Sequence, residues 1–298
     1  MPVIRKNEQF PKRPVIIVIY GSAGVGKTSL ANTSRNPLLI DCDKGADRAA
    51  NRAETTILAK NWDEILQDQN EINNASTVVI DTAKAVLDDF LTSYVIARDK
   101  RLETNKLKMY GEIGDHFKRF VSKCREANVD IIIVAHAKEE KDGDLIKFSP
   151  DVTGQSKELV LRIADQVGYV SMINGTRTIQ FEPNDNRVGK NVAKLDDIQI
   201  PNNTLPEFET CMADIIQTVK DEIQVITEEQ LKAVEIAQQY QKQIDEVSTA
   251  DQMNTIVDAV NTLEKKLQSP IKKYMMARAK AIGISINPKT KKFENAAD

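Results

Sequence analysis

The chain has few of the residues that build disulfide frameworks and metal centres. Its 298 residues include three scattered cysteines, Cys42, Cys124 and Cys211. An odd, dispersed set argues against a disulfide framework and predicts a reducing compartment. The chain also has two histidines, His116 and His136, and no C-x-x-C pair, so a zinc site is not expected.

Long apolar runs are missing as well. No stretch is long enough to span a bilayer, and the first residues, MPVIRKNEQFPKRP, lack the apolar segment of a secretory signal. These absences predict a cytoplasmic protein without a membrane partner. Apolar residues make up 41% and charged residues 29%, which is ordinary for a globular protein. The length suits one large domain plus a smaller one.

Charge is spread unevenly along the chain. The net charge is −3, yet residues 265–292 are rich in lysine and arginine and contain no acidic residue. The remainder of the chain is therefore acidic. This segregation predicts a basic C-terminal surface with an anionic partner, and a solvated helix face explains it equally well.

The most informative segment is GSAGVGKT, which follows the apolar run Val15 to Tyr20 directly. Its G-x-x-x-x-G-K-[ST] spacing is that of a phosphate loop between a strand and a helix. The glycines let backbone N–H groups face phosphate oxygens, Lys27 can reach the β- and γ-phosphates, and the Thr28 hydroxyl can ligate Mg²⁺. The predicted nucleotide-binding residues are Gly21, Ser22, Ala23, Gly24, Val25, Gly26, Lys27, Thr28 and Ser29.

Apolar strands alternate with helical segments after this loop. PLLIDCD, STVVIDT and VDIIIVAHA predict buried strands, with helices between them. The alternation predicts an α/β fold with a mostly parallel twisted sheet and helices on both faces. Asp142-Gly143 and Asn174-Gly175 predict hairpin turns.

The chain changes character near residue 220. Capping boxes that begin at Thr227 and Ser248, and a Ser-Pro pair at Ser269, predict three helices. We therefore expect three regions, which are a nucleotide-binding core over 1–223, a small all-helical domain over 224–286 and a polar tail over 287–298.

Polar side chains are predicted at strand ends, where α/β sheets gather their ligand groups. Asp81 ends TVVID and fits a carboxylate that holds Mg²⁺ through its water shell, with a helix N-cap as the alternative. Asp43, which follows Asp41 at the end of LLIDCD, is the better candidate for orienting the attacking water, and a turn or cap role is its alternative. His136 ends IIIVAH, where it can contact the γ-phosphate or be purely structural.

Together these segments resemble the RecA-type ATPase core. IDCDKGADRA resembles the segment that carries its catalytic carboxylate, TVVIDT its Walker B strand, and IIIVAHAK the strand that ends in its phosphate-sensing residue. A narrower resemblance, over residues 12–220, is to phage nucleotide-binding proteins with a minimal RecA core, some of which are single-strand annealing proteins. It implies ATP and Mg²⁺ as cofactors, catalytic roles for Lys27, Asp43 and His136, and the host cytoplasm as the location.

FEPNDNRVGKN resembles the K-[DN]-R-x-G segment of these proteins, from which a basic residue reaches the γ-phosphate of the neighbouring subunit. The resemblance therefore implies a homo-oligomer in which Arg187, or Lys190, acts in trans on charge that develops during phosphoryl transfer. An exposed hairpin arginine is the alternative. The aromatic-x-x-alanine motif of filament-forming recombinases is missing, although Phe10 could substitute for it.

The function that this resemblance implies is that of a DNA recombination protein that binds and hydrolyses ATP. It would bind single-stranded DNA and promote annealing or pairing as an oligomer, together with single-strand-binding or recombination proteins. A P-loop kinase of a small molecule, with Arg98 to Arg101 as a basic lid, is an alternative. An ATP-dependent scaffold and a helicase-like motor subunit in DNA replication are others.

Two segments are candidates for contact with DNA. In the core, Lys138 to Gln155 corresponds to the expected DNA-contacting region, although its charge is mixed. In the C-terminal helices, cations beside an aromatic ring can track phosphates and stack a base. These residues are Lys272, Lys273, Tyr274, Arg278 and Lys280. A helical domain that packs on the core or binds a partner protein explains the same pattern.

Overall fold

The computed structural model describes residues 4–5, 8–142 and 145–295. Gly143 of one predicted hairpin turn, and residues 296–298 of the predicted tail, lie outside the described residues. The chain divides into two compact units, one over Lys12–Ile223 and the other over Met1–Pro11 with Gln224–Asp298. No helix among the described residues combines the length and the apolar character that crossing a bilayer requires.

The larger unit is built on one twisted sheet. Its strands are β1 Ile16–Gly21, β2 Pro37–Asp41, β3 Thr55–Leu58, β4 Thr77–Asp81, β5 Asp130–Asp142, β6 Leu145–Pro150, β7 Gln166–Ile173, β8 Thr176–Gln180, β9 Lys190–Asn191 and β10 Ile198–Gln199. Their order is β10-β8-β7-β1-β5-β4-β2-β3, with β6 paired to β5 and β9 paired to β7. The pairs among β1, β2, β3, β4, β5 and β7 are parallel, and the others are antiparallel. The predicted fold class is therefore confirmed.

Helices connect these strands. They are α1 Lys27–Ala31, α2 Trp62–Gln67, α3 Gln69–Asn74, α4 Thr92–Arg98, α5 Lys106–Glu126 and α6 Gly154–Ile163. A further helix, α7 Cys211–Asp245, follows β10. A π-helical segment, Ala85–Leu91, precedes α4, and short 3₁₀ turns span Ala46–Arg48, Lys100–Glu103 and Pro206–Phe208. The predicted hairpin turn at Asn174-Gly175 is confirmed, since Ile173 pairs with Thr176 across it. Thr227, a predicted helix start, lies inside α7.

Strand β1 lies at the centre of the sheet and is buried on both faces. Ile16, Val18 and Tyr20 pack into the core on one face, and Ile17 and Ile19 pack into the core on the other. This follows from the alternation of side chains along a strand whose two neighbours are both parallel. The apolar run before the phosphate loop is thus explained by burial on two sides.

Two buried aspartates hold the beginning of β1 in place. Asp165 accepts the Ile16 N–H at 2.9 Å and two N–H groups of Arg13 at 2.9 and 2.6 Å. Asp130 accepts the Val15 N–H at 2.9 Å. Because buried carboxylates need hydrogen bonds or a cation, these bonds stabilise the aspartates and set where β1 starts.

The smaller unit has its own core. It contains the C-terminal part of α7, helices α8 Ala250–Asn261 and α9 Lys265–Ala281, and two antiparallel strands, β11 Ile284–Ile286 and β12 Phe293–Asn295. The residues buried between these elements include Met253, Val260, Ile271, Met275 and Phe293.

The predictions for this region need three corrections. The capping box expected at Ser248 forms one residue later, between Thr249 and Gln252. Helix α9 begins one turn before the expected Ser269 start, because the Glu264 carbonyl accepts the N–H groups of the first turn. The two strands were not expected in an all-helical region with a polar tail, and burial of Phe293 accounts for them.

Gly21 marks the end of β1, where the strand pairs with Val170 of β7. A Cβ added at Gly21 would overlap the Val170 carbonyl oxygen. We expect Gly21→Ala to destabilise the larger unit by about 2 kcal/mol or more, because the two backbones must separate. Urea unfolding followed by fluorescence of Trp62, the single tryptophan and a buried one, measures this unit.

Gly111→Ala is the matched control. Gly111 lies within α5, and a Cβ added there meets nothing within 4 Å. Alanine at this position is expected to stabilise the helix by up to about 1 kcal/mol. Equal effects of the two substitutions would contradict the proposed close approach at Gly21.

Candidate nucleotide-binding site

A cleft of about 540 Å³ opens at the carboxyl ends of the central strands, beside the glycine-rich loop. Most of the residues predicted to form the site line it. They are Ala23, Gly24, Gly26, Lys27, Thr28, Ser29, Asp43, Asp81 and His136. The structure therefore brings together side chains from four separate segments of the chain.

The glycines of the loop have a conformational reason to be there. Gly24 and Gly26 have φ angles of 74° and 94°, in the left-handed region that disfavours side chains. Gly21, Ser22 and Val25 do not line the cleft. Gly21 belongs to β1, the Ser22 carbonyl accepts a bond from Lys27, and Val25 packs against the core.

Lys27 is folded back onto the loop. Its ammonium donates to the carbonyl oxygens of Gly21 at 3.0 Å and Ser22 at 2.8 Å. The residue is 6% exposed, and burial lowers its pKa, while the charge of Asp81 acts in the opposite direction. A buried ammonium that is held by neutral carbonyls suits an anionic ligand, because a phosphate would supply the opposite charge.

The Thr28 hydroxyl donates to the Asp81 carboxylate. Burial raises the pKa of Asp81, the Thr28 bond opposes that shift, and the nearby Asp43 charge adds to it. A hydroxyl and a carboxylate side by side are the oxygen ligands that Mg²⁺ prefers. The pair therefore fits the predicted metal position.

The structure separates the two aspartates at the end of β2. Asp41 is buried and accepts the N–H groups of Gly45 and Ala46, both at 3.0 Å, so it stabilises the turn after the strand. Asp43 is exposed in the cleft, where one carboxylate oxygen accepts the Thr82 hydroxyl at 2.9 Å. Asp41 also lines the cleft, but both of its carboxylate oxygens accept N–H groups of the turn, so Asp43 is the more accessible of the two.

His136 is exposed and lines the cleft, but it does not end its strand as predicted. β5 pairs with β1 as far as His136 and then continues to Asp142, where it pairs with β6 instead. The reason is that the chain leaves the main sheet at this point as an antiparallel hairpin. His136 thus lies at the junction between the parallel sheet and that hairpin.

The two residues predicted to act in trans are not in the cleft of their own subunit. The Arg187 Nε donates to the Glu182 carbonyl at 3.2 Å within its own loop. The Lys190 ammonium is held by three carbonyls around the end of α6, of which the Ala164 oxygen is nearest at 2.5 Å. These bonds place the Lys190 charge at the C-terminal end of a helix, where it is stabilising, and they weigh against the predicted role of Lys190 in trans.

Arg177 lines the cleft, and sequence reasoning missed it. Its guanidinium carbon lies 3.2 Å from the position of a Cβ added at Gly26. Its Nε is buried without a hydrogen-bond partner among the described residues. The Asn174-Gly175 turn signalled a hairpin, but only tertiary structure places the return strand β8 beside the phosphate loop.

A phosphate loop at the carboxyl edge of a mostly parallel sheet, with a threonine and an aspartate beside it, defines a P-loop nucleotide-binding domain. The family follows from comparison of the sequence. Residues 13–192 match AAA_24, which is described as an AAA domain, and the match spans more than half of the chain. The protein therefore belongs to this family.

The chain was also compared with curated proteins and with solved structures. No curated protein matches the chain. Among solved structures, the chain is similar to the one titled "Crystal structure of the RadB recombinase", with 16% sequence identity and a TM-score of 0.36. The similarity covers 58% of this chain and 85% of that one.

Asp81→Asn tests the cost of the buried carboxylate. Because burial raises the pKa of Asp81, stability of the nucleotide-free protein falls as pH rises from the ordinary value of 3.8 through the raised one. The neutral amide avoids this loss. We expect the variant to have a higher Tm than wild type at neutral pH and the same Tm near pH 3. Thermal unfolding followed by Trp62 fluorescence measures this difference. A lower Tm at neutral pH would contradict this explanation.

Arg177→Ala tests whether this guanidinium contacts a bound nucleotide. Loss of one charge-assisted hydrogen bond is expected to weaken affinity about tenfold. Isothermal calorimetry with ATP and ADP measures the effect, and Arg162→Ala is the control, since Arg162 is exposed on α6 and outside the cleft. Unchanged affinity in the Arg177 variant would remove the residue from the site.

Proposed function

We propose that the protein is a RecA-like ATPase that binds single-stranded DNA and promotes strand annealing or pairing as a homo-oligomer. One observation carries the proposal. The exposed carboxylate of Asp43 shares a cleft with the phosphate loop and with the Thr28–Asp81 pair. This is the set of groups that hydrolysis of a nucleoside triphosphate needs.

The residues present fit ATP and Mg²⁺. The loop N–H groups and Lys27 would hold the phosphates, and Thr28 and Asp81 would hold the cation. When bound, the cation supplies positive charge that stabilises the phosphoryl oxygens. The Lys27 ammonium is already desolvated, so it keeps few contacts with water to lose when phosphate arrives.

Asp43 would orient the attacking water. Its Oδ2 atom accepts the Thr82 hydroxyl, which holds the carboxylate in one orientation, and no described residue bonds to Oδ1. The free oxygen can therefore accept a proton from water. His136 lies on the same cleft, and its backbone carbonyl accepts the Asp151 N–H at 2.8 Å. A shift of His136 on contact with the γ-phosphate would therefore also move the segment that precedes α6, to which it is hydrogen-bonded.

A role for Arg187 in trans accounts for its position. The side chain is half-buried, has no carboxylate partner among the described residues, and lies outside its own cleft. A neighbouring subunit would bring this guanidinium to the γ-phosphate, where it stabilises developing charge.

The hairpin of β5 and β6 supports contact of the core with DNA. It carries the exposed cations Lys138, Lys141 and Lys147 and the exposed apolar side chains of Leu145 and Ile146, which are 53% and 41% exposed. Lysines placed along a hairpin can contact successive phosphates of an unpaired strand.

The kinase alternative loses its main support. In the proposed lid, Arg98 packs 3.3 Å from the centre of the Tyr94 ring and pairs with Asp63, and Arg101 pairs with Asp99. Neither arginine lines the cleft. These contacts leave the two arginines on the surface of their own helical segments.

Asp43→Asn separates binding from hydrolysis. We expect the variant to bind ATP like wild type, to retain ATP-dependent binding of a labelled oligo-dT in fluorescence anisotropy, and to lose hydrolysis about a hundredfold or more. A salt series should show a clear negative slope of log affinity against log salt. Absence of oligo-dT binding at low salt with ATP would overturn the proposed function.

The same variant also tests action in trans. Asp43→Asn and Arg187→Ala subunits are each expected to be inactive alone, whereas a mixture pairs an intact cleft with an intact arginine at about a quarter of the interfaces. Partial recovery of hydrolysis on mixing is therefore expected. No recovery, with mixed oligomers present by native mass spectrometry, would contradict a role for Arg187 in trans.

A further inference from the structure

The smaller unit contains a second cavity, far along the chain from the phosphate loop. It is an open groove of about 630 Å³ between α9 and the strand β11. Its walls are mainly apolar and include Met276, Ala277, Ile286 and Phe293. Met276 is 51% exposed and Ile286 is 38% exposed, so apolar side chains face solvent on both sides of the groove.

Unpaired lysines accompany this groove. Lys280 lines it, and Lys273 is exposed two helical turns earlier on α9. Lys289, Lys291 and Lys292 are exposed in the turn that joins β11 to β12. Within the described part of the chain, none of these five ammonium groups has a hydrogen bond or an ion pair.

Three other cations of α9 are already bound. Lys272 donates to Gln268 at 2.8 Å, and Arg278 donates to the Val247 carbonyl at 3.1 Å. Lys266 pairs with glutamates on two sides. Lys265, in the first turn of α9, is exposed and likewise has no bond or ion pair among the described residues. The unpaired charge near the groove is on Lys273, Lys280 and the strand turn.

The aromatic ring expected to stack a base is not offered to a ligand. The Tyr274 hydroxyl donates to Asp245 at 2.6 Å, and the residue is half-buried. Phe293 is only 5% exposed. A nucleic-acid strand would therefore find the lysines, but neither of these two rings is an exposed surface for base stacking. This corrects the idea of a cation and aromatic surface around Tyr274.

A ligand that uses both features must carry negative charge and aliphatic side chains. Methionine adapts its shape to varied apolar partners, and lysines that border apolar surface favour carboxylates at the rim. We propose that this groove binds an acidic segment of a partner protein, whose aliphatic side chains enter the groove and whose carboxylates contact Lys280 and the strand turn. The proposal is independent of nucleotide and DNA binding by the core.

The test uses the full-length chain and a short fluorescein-labelled peptide in which aspartates alternate with leucines. Fluorescence anisotropy should show binding that weakens with salt. Binding should also be lost when the leucines are replaced by serine or the aspartates by asparagine. Lys280→Glu is expected to weaken binding about tenfold, because it replaces attraction with repulsion. Ala277→Trp should weaken it as well, because the side chain fills the groove without changing the charge.

Lys232→Glu is the matched control, since Lys232 is exposed on α7 and does not line the groove. It should leave peptide binding unchanged, and all three variants should retain the Tm and ATP affinity of wild type. Failure of the peptide to bind, or equal affinity in the three variants, would overturn the proposal. So would oligo-dT binding that is lost in Lys280→Glu without any peptide binding, because the surface would then serve nucleic acid.

Discussion

The site depends on the burial of β1 between two parallel neighbours. Because both faces of this strand are packed and both edges are hydrogen-bonded, its end has one position relative to β5 and β7. Gly21 permits the close approach to Val170 at that end, and the phosphate loop begins there. Asp130 and Asp165 set the other end of the strand. The packed centre of the sheet therefore fixes the geometry of the cleft, because the chain has least freedom to move there.

The same cleft is electrostatically unfavourable without a ligand. Burial lowers the pKa of Lys27 and raises the pKa of Asp81, so each charge is held against its preference for water. Loop carbonyls satisfy the ammonium and the Thr28 hydroxyl satisfies the carboxylate, which makes the empty arrangement tolerable. A phosphate chain with its cation would provide each group with an opposite charge. The ligand-free cleft is thus less stable than an uncharged one would be, and the same charges favour binding of a phosphate and its cation, as is common at functional sites.

Parts of the site could be predicted because they depend on local pattern. The spacing of the loop identified Lys27 and Thr28, and an aspartate at the end of an apolar strand identified Asp81. The position of His136 in the cleft followed in the same way, although its strand runs on into a hairpin. By contrast, the inward position of Arg177 depends on how a hairpin packs over a loop that is some 150 residues away in sequence. No periodicity or motif records such a contact.

The sequence by itself determined the class of the core, because strand burial, helix spacing and glycine conformations depend on residues a few positions apart. Only the tertiary structure decided which polar groups are free to act. Asp41 and Asp43 both line the cleft, yet both oxygens of Asp41 accept N–H groups of a turn, whereas the Asp43 side chain is exposed. Lys190 matches a motif, yet the end of a helix from another segment binds its charge. Whether a charged side chain is free to bind a ligand depends on which other segments hydrogen-bond to it. Tertiary packing decides which segments come close enough to do so.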